Sequence, residues 1–157
     1  MKKFNPELFS LAMSDDAKPL LDAVKRHISE NVDPITEEFY ALNKEKEDIW
    51  SHHPRQIELL EGAKKKAKES GLWNFFLPDA ETGEGLKNLD YAYLAVELGR
   101  TPLSSQTLNC SAPDTGNMVV LERVGTPEQK ETWLKPLLAG EIRSAYAMTE
   151  PAMASSD

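Results

Sequence analysis

Ser155 and Ser156 are the hydroxyl side chains whose surroundings best suit ligand chemistry. They lie in the run RSAYAMTEPAMASSD, Arg143 to Asp157, where Ala152 and Ala154 keep the backbone uncrowded. Such a loop lets backbone N–H groups and hydroxyls approach a phosphate or the edge of a heterocycle. Arg143 to Met148, mostly apolar or aromatic and free of turn formers, read as a short strand that Pro151 stops, because proline has no N–H to give to a ladder. Thr149 and Glu150 then fall where strand gives way to loop. The same residues also fit an ordinary surface turn, and by themselves they leave both readings open.

About six helices must hold that strand and loop. Ala17, Leu20, Leu21, Val24 and Ile28 recur at the spacing of one helical face, behind Ser14 or Asp15 as a cap. Asp33 and Pro34 read as the cap and first position of a second segment, with Ile35, Phe39 and Leu42 as its buried stripe. Met1 to Met13 reads as a short helical turn that packs Phe4, Leu8, Phe9 and Leu11 on the body. Asn43 to Pro54 is a polar connection. Arg55 to Ser70 forms a helix through Ile57, Leu60, Ala63 and Ala67, and Gly71 ends it. The apolar run LWNFFL, Leu72 to Leu77, has to be buried, and Pro78 to Gly85 is a loop. Leu89 to Gly99 is apolar almost all round, which predicts a helix in the middle of the bundle. A helix from Thr115 ends at Gly125. Thr126, Pro127 and Gln129 then form a capping box for the next helix, in which Trp133, Leu134, Leu137 and Leu138 are apolar and Pro136 must kink or restart the backbone. Gly140 closes the helical region.

The composition suits one soluble, core-bearing domain: 157 residues, 40% hydrophobic and 28% charged. A net charge of −8 argues against a nucleic-acid partner, since the only basic run, Lys64 to Lys66, reads as a solvated helix face. Cys110 stands alone, which fits a reducing compartment, and with no targeting pattern or membrane-length apolar run the expected location is cytoplasmic. Adjacent His52 and His53 point apart on any helix and have no further ligand nearby, so no metal site is expected. His27 reads as a packing or surface residue.

The run GTPEQKETWLKPLLAGEIRSAYAMTEP, from Gly125, closely resembles the acyl-CoA dehydrogenase family, in which a G-T-x-E-Q-K-x-x-W/Y-L helix leads into an A-x-x-x-T-E-P flavin loop. The likeness extends upstream through DYAYLAVELGRTPLS and ESGLWNFFLPDA in the family's order, over nearly the whole chain. It implies a mainly α fold. Residues 1–141 would be the family's N-terminal helical domain, and residues 142–157 would begin its middle β-domain and stop inside the flavin loop. The resemblance also implies FAD as cofactor, acyl-CoA as substrate, an electron-transfer flavoprotein or similar acceptor, and a homo-oligomer.

Carried over by position, Tyr146 and Met148 match residues whose backbone faces the flavin ring. Thr149 matches the threonine at the pyrimidine end, and a serine at the pyrophosphate matches Ser156 or Ser155. The loop here, T-E-P-A-M-A-S-S-D, is one residue longer than the commoner T-E-P-G-A-G-S-D and lacks its glycines, resembling a subgroup with A-M-T-E-P-x-x-A-S-S-D. Residues 108–118 correspond to the acyl-chain wall, with Asn109, Thr115 and Gly116 as substrate-side candidates alongside ordinary packing roles. The family's α-proton base is a glutamate of the C-terminal domain with no counterpart here, so no catalytic residue is assigned and the isolated chain is expected to be inactive. The end at Asp157 reads as a truncation. The rival expectation is a free-standing helical module that binds or regulates a partner.

Overall fold

A computed structural model describes residues 10–46, 48–79 and 82–153. The first helical column joins α1 (Lys18–His27) to α2 (Asp33–Ala41) through a π turn, Ile28–Val32. Val24 and Ile28 are buried on the expected face, with Leu20 and Leu21 packed beside them. The expected break at Asp33–Pro34 does not occur. Pro34 offers no N–H and its ring crowds the carbonyl four residues back, but the π turn widens the backbone just ahead of it, with the Asp33 N–H reaching Ile28 O. Asp33 therefore lies inside the column, and its carboxylate accepts from Arg100 at 3.3 Å. The same device precedes Pro136, where α7 (Pro127–Gln129) passes through a second π turn, Lys130–Leu134, into α8 (Lys135–Ala139). With α3 (Pro54–Glu69), α4 (Asn88–Leu98), α5 (Pro102–Thr107) and α6 (Asp114–Val124), this makes six helical columns among the described residues.

The later caps follow the sequence, whereas Ser14 makes no cap hydrogen bond and donates its N–H and Oγ to Asp90 at 2.8 and 2.9 Å. Thr126 Oγ1 accepts from the Gln129 N–H at 3.2 Å while Gln129 Oε1 accepts from the Thr126 N–H at 2.9 Å. Gly71 and Gly140 end α3 and α8 with φ of 71° and 73°, where a side chain would be strained. His53 caps α3, its Nδ1 accepting from the Arg55 N–H at 3.2 Å.

Three apolar expectations need correction. On α3, Ile57 is exposed and Gln56 takes the inward position, because its amide donates to Phe39 O at 2.7 Å and to Asn43 Oδ1 at 3.0 Å. Helix α4 is not central. Leu94 and Leu98 enter the core, whereas Tyr93 and Val96 face outward, Val96 being 73% exposed. Leu11 is exposed rather than packed, and Phe4, Leu8 and Phe9 lie outside the described residues.

Two apolar clusters hold the columns together. The larger unites Val24, Ile28, Phe39, Leu60, Phe75, Leu94, Leu103 and Leu108, and the smaller joins Leu77 and Met118 to Leu134 and Leu137. The LWNFFL run bridges them, with Phe75 in one and Leu77 in the other. Each such side chain contributes about 1.5–3 kcal/mol on burial.

The predicted strand from Arg143 to Met148 is also corrected: the segment belongs to no ladder among the described residues. A strand is defined by its partner, and no described segment runs alongside this one in register. Residues 150–153 then turn, with the Met153 N–H reaching Glu150 O at 3.3 Å around Pro151.

Candidate functional site

The segment from Arg143 onward is fastened to α6 by one buried carboxylate. Asp114, 1% exposed, sits in the first turn of α6, where the helix dipole favours a negative charge. Its Oδ1 accepts from the Ser144 N–H at 2.7 Å and from Ser144 Oγ at 2.6 Å, and its Oδ2 accepts from Arg143 Nε. One turn along α6, Asn117 Nδ2 donates to Ser144 Oγ at 2.8 Å.

Two residues further on, the Tyr146 hydroxyl lies over Gly116, where a Cβ would collide with it. The structure thus brings together Gly116, a substrate-side candidate, and Tyr146, a cofactor-side candidate. Tyr146 and Met148 are 60% and 76% exposed, and Thr149 is exposed beside them, so the run presents one open wall. Ser155 and Ser156 lie outside the described residues.

Asn109 is held elsewhere. It is 8% exposed with φ of 54°, and its Nδ2 donates to Asn74 Oδ1 at 2.7 Å and to Leu137 O at 3.1 Å. Asn74 Nδ2 and Trp73 Nε1 donate to Leu138 O at 2.8 and 2.7 Å, and Lys68 Nζ reaches Ala139 O at 2.7 Å. These side chains serve the terminal carbonyls of α8, which have no partner within the helix. Thr115 is half-buried, its N–H closing on Ser111 O at 3.2 Å.

The stretch leading into this wall is tied to α1 through a buried histidine. Thr107 Oγ1 donates to Ser104 O at 2.9 Å, so His27 Nε2, 3.2 Å away, must donate to Thr107. Burial holds His27 below its ordinary pKa, with Lys66 pushing the same way. Burial pushes the Cys110 thiol well up. Among the described residues no three His, Cys, Asp or Glu side chains group as metal ligands, and no helix is long and apolar enough to cross a membrane.

Residues 14–141 match the acyl-CoA dehydrogenase N-terminal domain. The chain belongs to the acyl-CoA dehydrogenase family. Mouse acyl-CoA dehydrogenase family member 10 is 45% identical over 150 residues, covering 92% of this chain and 14% of its own length. Chicken acyl-CoA dehydrogenase family member 11 is 44% identical over 147 residues, with 92% and 18% covered. A solved chain from Mycobacterium abscessus assigned to the acyl-CoA dehydrogenases superposes with a TM-score of 0.79 at 46% identity, over 93% of this chain and 37% of that one. The chain therefore spans less than a fifth of the length of these two curated relatives.

Within this acyl-CoA dehydrogenase domain, sequence reasoning missed Asp114, Arg143, Ser144, Asn117 and Asn74. An acid straight after Pro113, where a helix begins, was a legible signal for a stabilised charge. Its partner Arg143 is 29 residues away, beyond any periodicity.

Proposed function

We propose that this chain is the N-terminal part of an FAD-dependent acyl-CoA dehydrogenase that converts an acyl-CoA thioester to the 2,3-enoyl-CoA. The observation that carries the reading is the family match of residues 14–141, which ends where the exposed run containing Tyr146, Met148 and Thr149 begins. That run suits a flavin, because Gly116 lacks the Cβ that would push Tyr146 off α6 and the exposed segment leaves a flat ring room to lie along it. When bound, FAD would supply the acceptor for a β-hydride.

The chain's own residues would hold and orient. Tyr146 and Met148 line the ring, the Thr149 hydroxyl donates at the pyrimidine end where reduction gathers negative charge, and Ser155 or Ser156 donates to the pyrophosphate. Thr115 and Gly116 face the acyl side, and Asn109 shapes that wall through Asn74. The proton base is supplied by no residue of this chain, so the isolated chain is inactive. In the complete protein, residues 142–157 begin the β-domain, an electron-transfer flavoprotein or similar acceptor takes the electrons, and the enzyme is a homo-oligomer. The free, buried Cys110 supports a cytoplasmic, reducing location.

The test is the visible absorbance of two desalted proteins, this chain and the product of its longest genomic reading frame. Flavin bands in the longer protein alone are expected. A colourless, well-folded longer protein would sink the flavoenzyme reading. It would favour the second reading, a helical interaction module, which the outward-facing Tyr93, Val96 and Trp133 support as partner-binding surface.

A further inference from the structure

We infer that Asp114 is a positioning residue: its carboxylate sets the register in which Tyr146, Met148 and Thr149 meet the cofactor. This inference rests on the flavin reading above. Four side-chain hydrogen bonds from α6 converge on the successive residues Arg143 and Ser144, three of them to Asp114 and one from Asn117. These bonds, with the seat of Tyr146 on Gly116, tie the segment to α6 in one register.

Ser144 and Tyr146 both reach α6, as alternate residues of an extended chain do, so Ala145 between them takes the other side. A slip of one residue would turn Ala145 toward α6 and Tyr146 away from it. The carboxylate prevents that slip, because Oδ1 takes both the N–H and the hydroxyl of one residue, a pairing that alanine at the slipped position could satisfy only in part. Asp114 also opens the helix that carries Thr115 and Gly116. A shift of the acyl-side wall therefore moves the flavin segment with it.

The test compares wild type with D114N and R143Q. In the 157-residue chain, amide hydrogen exchange at Ser144 is expected to rise about tenfold in D114N at unchanged far-UV circular dichroism, as loss of a charge-assisted hydrogen bond implies. In the longest reading frame, D114N is expected to shift the flavin's visible band and reduction potential and to weaken flavin retention. R143Q alters a half-exposed side chain and leaves the Ser144 bonds in place, so it is expected to give a smaller shift of the same sign even if D114N does not fold. Unchanged Ser144 exchange in D114N, or faster exchange with a wild-type flavin band and potential, would overturn the inference. So would a wild-type band and potential in R143Q. A longer wild-type protein without flavin removes the cofactor role, and the exchange data then show separately whether the clamp itself exists.

Discussion

Asn109 and Asn74, 35 residues apart, meet through a hydrogen bond of 2.7 Å, and both hold a positive φ, 54° and 58°. Asparagine tolerates that region better than other residues with a Cβ, and here it also brings a side chain that serves the end of α8. Replacing Asn109 by alanine is expected to destabilise the chain by about 1–3 kcal/mol for the unpaired Asn74 amide oxygen, with about 1–2 kcal/mol more from backbone strain. Asn109→Gly should cost less than Asn109→Ala, the difference reading the strain. Urea unfolding of both, with Asn74→Ala and the double variant, checks this. Additive single effects would show that the two amides are not coupled.

Gly116 lies inside α6, where alanine ordinarily adds about 0.5–1 kcal/mol of stability. The atom in the way is the hydroxyl of Tyr146, the far end of an exposed side chain that can swing aside. Gly116→Ala is therefore expected to raise the melting temperature while moving the Tyr146 ring resonances, and in the longer protein to weaken flavin binding. Tyr146→Phe in the same background should remove part of the clash. An unmoved Tyr146 ring in Gly116→Ala would show that the side chain does not rest on α6.

The helices were legible because each writes its own face within about four turns of sequence: Val24 with Ile28, and Thr126 with Gln129, are local patterns. Position within the bundle is not local. Tyr93 and Val96 read as core from their type alone, yet no described helix covers them. Gln56 displaced Ile57 because Phe39 O and Asn43, 17 and 13 residues away, offered its amide partners. At the candidate site, the residue types of Tyr146 and Gly116 were legible, and their contact across 30 residues was not. A strand could be read from the apolar and aromatic content of residues 143–148, whereas pairing depends on a neighbour that composition cannot name.

Cys110 should behave as an inert core side chain. It is buried, its thiol donates to Leu108 O at 3.3 Å, and desolvation disfavours the thiolate that would react. Labelling by a thiol reagent at neutral pH is expected to be slower than in urea-unfolded chain by at least about a hundredfold, as opening against a few kcal/mol of local stability implies. Asn109→Ala, which loosens the adjacent residue, should speed it. Labelling of the native chain at the unfolded rate would mean that the loop after α5 is open.

His27 gives the fold a sensitivity to mild acid. Its Nε2–H is committed to Thr107 and its Nδ1 faces the Asn31 amide at 3.4 Å, so the ring sits neutral. Burial first, and Lys66 second, lower its pKa in the folded chain, while the unfolded chain keeps the ordinary value of about 6.5. On acidification the unfolded state takes up this proton before the folded state does. The contribution of neutral His27 is therefore complete above the unfolded pKa and lost as pH falls through about 6.5 toward the lower folded value. Urea midpoints for wild type and His27→Gln at about pH 7.5 and about pH 5.5, on either side of the ordinary histidine value, separate this from carboxylate effects shared by both proteins. The wild type should lose more stability between the two conditions than His27→Gln, whose amide can still donate to Thr107 and does not titrate. Equal losses would mean that His27 is protonated as readily in the folded chain as in the unfolded one, and that the Thr107 bond does not select the neutral ring.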